Sequence, residues 1–218
     1  MPPERRVALT FDDGPGPSTG RLLEVLDRHG VQVTFFVVGK NLRGHALGSE
    51  PQARALAIRA AQAGHQLGNH ADTHLRDPMP MADFIAEIRA VDALIDGLYA
   101  EAGVASPRQI PFRLPYGPLV RGKRQDERLV ALTAAGKRHQ HWTIILGDYK
   151  PTAQPGRLFS KLLAHVEEMW ALDAIPIIVL HDAGAWPQAH GYARVATVEA
   201  VDRLLDALRP LGAQFVFP

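Results

Sequence analysis

The sequence VALTFDDGP, at Val7–Pro15, joins a run of apolar residues to two adjacent carboxylates and a turn. The apolar run Val7–Phe11 is short and continuous, which is typical of a strand covered on both faces in a parallel sheet. Asp12 and Asp13 follow where this strand leaves the core, although an ionised carboxylate is costly wherever solvation falls. Because Asp-Asp-Gly-Pro also suits an ordinary turn, the segment alone does not distinguish a turn from a reactive site.

Six further segments have strand character and alternate with helical stretches. These strands are predicted at Val33–Gly39, His65–His70, Phe112–Tyr116, His141–Leu146, Ile175–His181 and Gln214–Phe217. Helical periodicity covers roughly residues 19–29, 51–64, 81–103, 125–135, 156–173 and 193–209, with Ser18 as the N-cap of the first helix and Gly30 as its stop. The alternation indicates an α/β fold, either a (β/α) barrel or an open doubly wound sheet.

Length and composition favour one domain spanning residues 1–218. The chain has 218 residues, 46% of them hydrophobic, which is enough to bury a full core, and no linker, repeat or charge run divides it. A net charge of +1 argues against nucleic acid as the partner. The absence of cysteine excludes disulfides, thiolate-bound zinc and a thiol nucleophile.

The apolar runs are too short for a membrane span, which needs about eighteen consecutive apolar residues. The opening residues MPPERRVALTF contain no apolar leader segment. Membrane insertion is therefore not expected. The sequence as it stands predicts a cytoplasmic protein, or an exported one if a leader has been removed. The pattern carries no signal for the oligomeric state.

Titratable residues recur where predicted strands end. In a barrel of parallel strands these ends meet at one face, which is where active sites of such folds lie. Each residue has an ordinary structural explanation by itself, but the shared placement predicts a single reactive site. The residues concerned are Asp12, Asp13, His70, His74, Arg113, Asp148 and His181.

Two imidazoles and a carboxylate could fill three positions around a divalent cation and leave the others open for water and substrate. Zinc suits such a set, and cobalt, nickel or iron are also accepted. A bound cation lowers the pKa of its water and polarises a nearby carbonyl, while a second carboxylate and a separate histidine could move protons. This inventory predicts metal-assisted hydrolysis of an amide or an ester.

Five segments, in order, resemble the motifs of the polysaccharide deacetylases, the carbohydrate esterase family 4 or NodB homology domain. They are Thr10–Pro15 (TFDDGP), His70–His74, Arg113–Gly117 (RLPYG), Asp148 and Leu180–Asp182 (LHD). Val31–Gly39 also resembles the second strand of that family, so the resemblance covers residues about 6–217. It implies a distorted (β/α)7 barrel that removes acetyl groups from N-acetylated, or also O-acetylated, carbohydrate.

The resemblance implies that the metal and the attacking water are served by residues of the first three motifs. Asp13, His70 and His74 would hold the divalent metal. Asp12 would be the general base for the attacking water. Arg113 would hold that base in place. All of these positions match the family's motifs in this sequence.

The resemblance also implies residues for the leaving group and the substrate. His181 would be the general acid, and Asp148 would tune it. The backbone N–H of Tyr116 would stabilise the tetrahedral oxyanion. The substrate pocket would include Leu180 as the wall around the acetyl methyl group, bordered by Pro115 and Tyr149. Apart from the resemblance, Trp186 in the loop Asp182–Tyr192 could present its ring to a sugar or could be an ordinary buried or exposed tryptophan.

Four positions depart from the family pattern. Leu114 stands where proline is usual, Tyr149 where tryptophan is usual, Ile145 where the family has a further aspartate, and Ala71 where serine or threonine is frequent. These departures affect the groove wall and the surroundings of the proposed acid. Because the metal and proton-transfer positions are retained, the sequence predicts an active enzyme.

Three alternative functions compete with this interpretation. Non-haem iron oxygenases also use two histidines and a carboxylate, but the order here, with Asp13 first, and the α/β alternation disfavour that class. A sugar-binding module without catalysis would lack Asp12 or His181, and both are present. A relative that hydrolyses a small non-carbohydrate amide or cyclic imide would have the same site chemistry, and it remains the main alternative.

Overall fold

The computed structural model describes residues 4–74, 79–118, 126–184 and 193–218. Its strands are β1 Arg6–Asp12, β2 Thr34–Val37, β3 Gln66–Asn69, β4 Ile144–Ile145, β5 Ile177–His181 and β6 Gln214–Phe215. They form a sheet of order β3-β2-β1-β5-β4, with β6 paired to β1. Because the pairs are parallel, the carboxyl ends of β1, β2, β3 and β5 lie along the same edge.

Seven helices connect these strands in the part of the chain that the structure describes. They are α1 Thr19–His29, α2 Gly39–Leu42, α3 Glu50–Gln62, α4 Met81–Ala102, α5 Glu127–Ala134, α6 Pro155–Ala171 and α7 Val195–Leu208, and a 3-10 turn at Arg209–Leu211 precedes β6. None of them is both long enough and apolar enough to cross a bilayer. The amphipathic α1 buries Leu22, Leu23 and Leu26, and Gly30 ends it in the left-handed conformation.

The two faces of β1 serve different purposes. Leu9 and Phe11 belong to the main hydrophobic core, together with buried residues of α1, α6 and α7. Thr10 and Asp12 lie on the opposite face, where both accept hydrogen bonds from Arg113. Because successive side chains of a strand alternate between its faces, one short strand packs the core and also delivers a reactive carboxylate.

The predicted α/β alternation is confirmed, but the sheet is not closed over the described residues. The prediction of a strand at Phe112–Tyr116 is wrong, since only Phe112 joins the sheet, through single bridges to Asn69 and His139. Pro115 has no N–H to donate to a ladder. Tyr116 and Gly117 have positive φ angles of 61° and 70°, so the chain leaves the sheet in a turn.

Four further local features differ from the sequence prediction. The strand predicted at His141–Leu146 is limited to β4, and the last strand is two residues shorter than predicted. The short helix α2 was not predicted, because Gly39 reads as the end of a strand. Ser18 makes no side-chain cap for α1; its Oγ instead accepts the Arg194 backbone N–H at 2.6 Å. Contacts distant in sequence decided each of these cases.

Candidate active site

Three predicted ligand residues meet at the carboxyl edge of the sheet. Asp13 directly follows β1, His70 directly follows β3, and His74 lies in the next loop. Asp13 Oδ1 is 3.0 Å from His74 Nε2 and 3.5 Å from His70 Nε2. One ligand atom from each residue lies within 4.8 Å of the other two, and all three residues are buried. The predicted set therefore forms one cluster with the dimensions of a metal site.

The protonation of the cluster favours a cation. His70 Nδ1 lies 2.8 Å from the Arg113 carbonyl oxygen, so Nδ1–H donates there and the Nε2 lone pair faces Asp13. Burial lowers the pKa of His70 to about 4, which keeps the ring neutral at neutral pH. Burial alone would raise the pKa of Asp13, but the neighbouring imidazole of His74, and after it the charge of His181, lower it below its usual range.

Asp13 provides a direct test of whether the cluster fits a metal. Its Oδ1 is buried and makes no hydrogen bond to any described residue, despite lying close to two imidazole nitrogens. A buried carboxylate oxygen without a hydrogen bond is costly unless something else satisfies it. A divalent cation between this oxygen and the two Nε2 atoms would do so, and the donor set is one that zinc and similar ions accept.

The backbone around the cluster is held by two asparagines that the sequence analysis did not identify. Asp13, Ala71 and His74 all have positive φ, which is uncommon for residues other than glycine. Asn69 Oδ1 accepts the Ala71 N–H at 2.8 Å, while Asn69 Nδ2 donates to α4. Asn41 Nδ2 donates to the Asp13 carbonyl at 2.6 Å. These side chains anchor the two loops that present the ligands.

Asp12 is fixed by a fully buried arginine. Arg113 Nη1 donates to Asp12 Oδ1 and to Thr10 Oγ1, each at 2.7 Å, and its guanidinium lies 4.1 Å from the centre of the Phe36 ring. The other carboxylate oxygen, Oδ2, is 3.8 Å from His70 Nε2. Asp12 therefore has one oxygen held by Arg113 and one oxygen near the cluster of Asp13, His70 and His74.

His181 lies on the strand next to Asp12, because residues 12 and 181 are register partners in the β1–β5 pair. Its Nδ1 and its backbone N–H each lie 2.8 Å from an oxygen of Asp148, and Thr197 Oγ1 donates to the same carboxylate. Burial alone would lower the pKa of His181, but the Asp148 carboxylate raises it to about 9. The ring is therefore protonated at neutral pH.

A fourth buried carboxyl group, Asp182, lies behind the loop that carries the predicted ligand Asp13. Thr19 Oγ1 donates to Asp182 Oδ2 and accepts the Gly16 N–H at 2.8 Å. The Asp182 carboxyl also leaves no room for a side chain at Gly14. Burial raises the pKa of Asp182 to about 7. Asp182 and Thr19 thus brace the TFDDGP segment, a role that only the fold reveals.

The remaining predicted residues differ in their placement. The Tyr116 ring lies 4.7 Å from the His74 ring and is 47% exposed, and the Tyr149 ring lies 5.0 Å from the His181 ring and is 36% exposed. Pro115 is buried next to Tyr116. Leu180 has no exposed surface and belongs to the main core, on the strand face opposite His181. Trp186 lies outside the described residues.

Comparison with known proteins gives consistent similarities. A family model described as polysaccharide deacetylase matches residues 1–135. The chain is 43% identical over 220 residues to a chitooligosaccharide deacetylase of Rhizobium leguminosarum bv. trifolii, covering 96% of this chain and 88% of that protein. It is 29% identical over 214 residues to a peptidoglycan-N-acetylglucosamine deacetylase of Bacillus cereus, covering 97% and 69%.

A solved structure shows the same architecture. The family 4 acetyl xylan esterase from Clostridium thermocellum, in complex with a cobalt ion, is 26% identical to this chain. The match has a TM-score of 0.72 and covers 97% of this chain and 87% of that chain. This similarity confirms the barrel class that the sequence resemblance implied.

Proposed function

The chain belongs to the polysaccharide deacetylase family of carbohydrate-deacetylating enzymes, and we propose that it hydrolyses the N-acetyl groups of N-acetylglucosamine oligosaccharides. The chitooligosaccharide and peptidoglycan deacetylases that it resembles support this substrate class. One observation carries the proposal. Asp12, which is paired with Arg113, and His181, which is paired with Asp148, lie at the ends of neighbouring strands. Both lie beside the cluster that could hold a metal.

Asp13, His70 and His74 are the proposed ligands of a divalent cation. Zinc suits two imidazoles and a carboxylate, and cobalt, which accompanies a similar structure, is a second candidate. When bound, such a cation would polarise the acetyl carbonyl and lower the pKa of a water molecule beside it. The hydrogen bond from His70 Nδ1–H to the Arg113 carbonyl orients the imidazole for this task.

Asp12 is the proposed general base. Arg113 occupies Oδ1, so Oδ2 is the oxygen that accepts a proton from the attacking water. The water oxygen then forms a bond to the acetyl carbon. Because the arginine is fully buried and also bonded to Thr10, the carboxylate has little freedom to rotate away from the reacting water.

His181 is the proposed general acid. Asp148 engages Nδ1, so the proton on Nε2 is the one available to the departing amine. When the carbon–nitrogen bond breaks, the amine takes this proton, and acetate and a free amino sugar result. Asp148 stabilises the protonated ring before the transfer, and Thr197 holds Asp148 in position.

The oxyanion and the sugar would meet the loop after Phe112. The Tyr116 backbone N–H is the proposed hydrogen-bond donor to the oxyanion, a contribution typically worth about 3 kcal/mol. Pro115 and Tyr149 are proposed to border the substrate groove, and the partly exposed Tyr149 ring offers a surface for a sugar. Leu180 offers no surface to an acyl group, so its predicted pocket role is not carried into the proposal.

The test is release of acetate by the purified protein from N-acetylglucosamine oligomers of defined length. We expect equal amounts of acetate and free amine, loss of activity with a chelator, and recovery when zinc or cobalt is added. Peptidoglycan fragments and acetylated xylan serve as competing substrates. No acetate from any of these with added cation would contradict the proposal, and turnover of a cyclic imide would then favour the small-amide alternative.

A further inference from the structure

His139 is a buried histidine that the proposed chemistry does not use. It lies beside Phe112, to which it is joined by a single parallel bridge. Its Nδ1 accepts the backbone N–H of Leu114 at 3.1 Å. Leu114 is the residue that follows Arg113 and stands two positions before Tyr116. His139 therefore contacts the segment that carries both the partner of the proposed base and the proposed oxyanion donor.

The hydrogen bond from Leu114 fixes the start of a tight turn. The Gly117 N–H donates to the Leu114 carbonyl at 3.0 Å, which closes a turn over residues 114–117. Tyr116 adopts φ 61° inside this turn, a conformation that costs free energy and persists only when its surroundings impose it. Trp142 packs so closely over Gly117 that no side chain would fit there. The turn is thus held at its first residue by His139 and at its last by Trp142.

The protonation state of His139 suits an acceptor. Burial lowers the pKa of His139 to about 4, and the nearby charges of His141 and Arg113 act in the same direction. The ring is neutral at neutral pH, with its proton on Nε2 and a lone pair on Nδ1 for the Leu114 N–H. A leucine or phenylalanine could fill the same space but could not accept this hydrogen bond.

We propose that His139 is a positioning residue that directs the Tyr116 backbone N–H towards the acetyl oxygen by holding the Leu114 N–H. This inference rests on the proposed function. Loss of the hydrogen bond would free the turn at its first residue, and a displacement of about 1 Å of a catalytic group is enough to cost on the order of a hundredfold in rate. Substrate binding before the transition state would change much less. Stabilisation of the oxyanion acts mainly in the transition state, where negative charge develops on the acetyl oxygen.

His65 provides a matched control within the same chain. It is also buried, its Nδ1 accepts the Val33 backbone N–H at 3.2 Å, and burial lowers its pKa to about 4. It precedes β3, at the opposite end of that strand from His70. The four residues of β3 lie between His65 and His70, so five steps of extended chain separate them by roughly 16 Å. Replacing His65 removes the same kind of hydrogen bond and a similar packing volume without touching the turn.

The experiment compares His139→Leu, His139→Asn and His65→Leu in the metal-loaded full chain. In His139→Leu we expect kcat on an N-acetylglucosamine oligomer to fall about ten- to a hundredfold, with KM and bound metal close to wild type. His139→Asn should recover most of the loss, because the asparagine Oδ1 takes the place of Nδ1 as acceptor. His65→Leu should lower the melting temperature but keep kcat. If His139→Leu does not fold, His139→Gln is used in its place. The side-chain oxygen of glutamine lies beyond the position of Nδ1, so it does not restore the hydrogen bond to Leu114.

Hydrogen exchange at the Leu114 amide gives a readout that does not depend on activity. Exchange should be slow in wild type and His139→Asn and faster in His139→Leu. The inference is overturned if His139→Leu keeps its kcat or if exchange at the Leu114 amide does not change. It is also overturned if His139→Asn loses as much activity as His139→Leu, or if His65→Leu loses the same activity. A wild-type protein that releases no acetate would instead refute the proposed function, and the exchange measurement would still decide whether His139 holds the turn.

Discussion

Continuous parallel ladders join β1, β2, β3 and β5 into one part of the sheet, the ladder part. The described residues between Phe112 and Ile145, the irregular part, join it through single bridges and the two-residue β4. Both parts contribute to the candidate site. The ladder part carries the candidate metal-binding cluster, the proposed base Asp12 and the proposed acid His181. The irregular part carries Arg113 and the turn that contains Tyr116.

The difference shows two ways of positioning a functional group. In the ladder part, backbone hydrogen bonds set the register of residues 12 and 181, so the backbone positions of these two residues do not depend on any single side chain. In the irregular part, side-chain contacts of His139, Trp142 and Arg113 supplement the few backbone bonds, and Arg113 donates to the Gln140 backbone carbonyl. A substitution should therefore remove chemistry alone in the first part, and both chemistry and structure in the second.

The largest effect on activity is expected for Asp12→Asn, in the ladder part. The amide keeps the shape of the carboxylate but cannot accept the proton, so kcat should fall by about 10²–10⁴. Urea unfolding should show a smaller loss of stability than in Arg113→Met, because the amide oxygen of asparagine can still accept the Arg113 hydrogen bond. Asp202→Asn is the control, since that carboxylate pairs with His29 on the helical surface. Full activity in Asp12→Asn, with the fold intact, would remove Asp12 from the proposed mechanism.

A smaller loss of activity, but a larger loss of stability, is expected for Arg113→Met in the irregular part. Removing the guanidinium leaves the buried Asp12 carboxylate without its partner and frees the Gln140 carbonyl, which should cost about 3–5 kcal/mol in the free energy of unfolding. We expect kcat to fall about ten- to a hundredfold under conditions where the variant is folded. Urea unfolding and acetate release measure the two effects. If the free energy of unfolding of Arg113→Met equals that of wild type, the irregular part does not depend on side-chain contacts in the way described above.

The smallest effect at neutral pH is expected for Asp148→Asn, which changes the pH dependence. His181 has a pKa raised to about 9 by Asp148, so wild type should keep its proton donor up to that pH. Without the carboxylate the pKa returns towards or below its ordinary value of about 6.5, and the alkaline limb of kcat should move down by on the order of two pH units. An alkaline limb at the same pH in both proteins would exclude His181 as the proton donor.

The same pair makes a pH-dependent contribution to stability. Because the folded state raises the pKa of His181, its interaction with Asp148 stabilises the fold fully below the unfolded pKa of about 6.5. That contribution declines as the pH rises and is lost above about 9. The difference in free energy of unfolding between wild type and Asp148→Asn should therefore be largest near pH 6 and shrink towards pH 10.

The sequence by itself determined the α/β alternation and the members of the cluster that the structure assembles. Apolar runs ending in Asp12, Asp13, His70 and His181 predicted one reactive edge, because parallel strands bring their carboxyl ends together. The same strand-end pattern included Arg113 and Asp148, the family motifs paired them with Asp12 and His181, and in the structure both contact those partners. The proximity of these residues could be predicted because strand periodicity and motif order are local properties of the chain, while their catalytic roles stay predictions.

The tertiary structure alone decided which side chains support that cluster. Asn41, Asn69, Thr197 and His139 carry no pattern that marks them in the sequence, since each acts on a residue at a distance set by the fold. The same reason explains the strand wrongly predicted after Pro111 and the burial of Leu180 in the core. Hydrogen bonds and packing act over a few ångströms in space, and residues brought that close are often far apart along the chain.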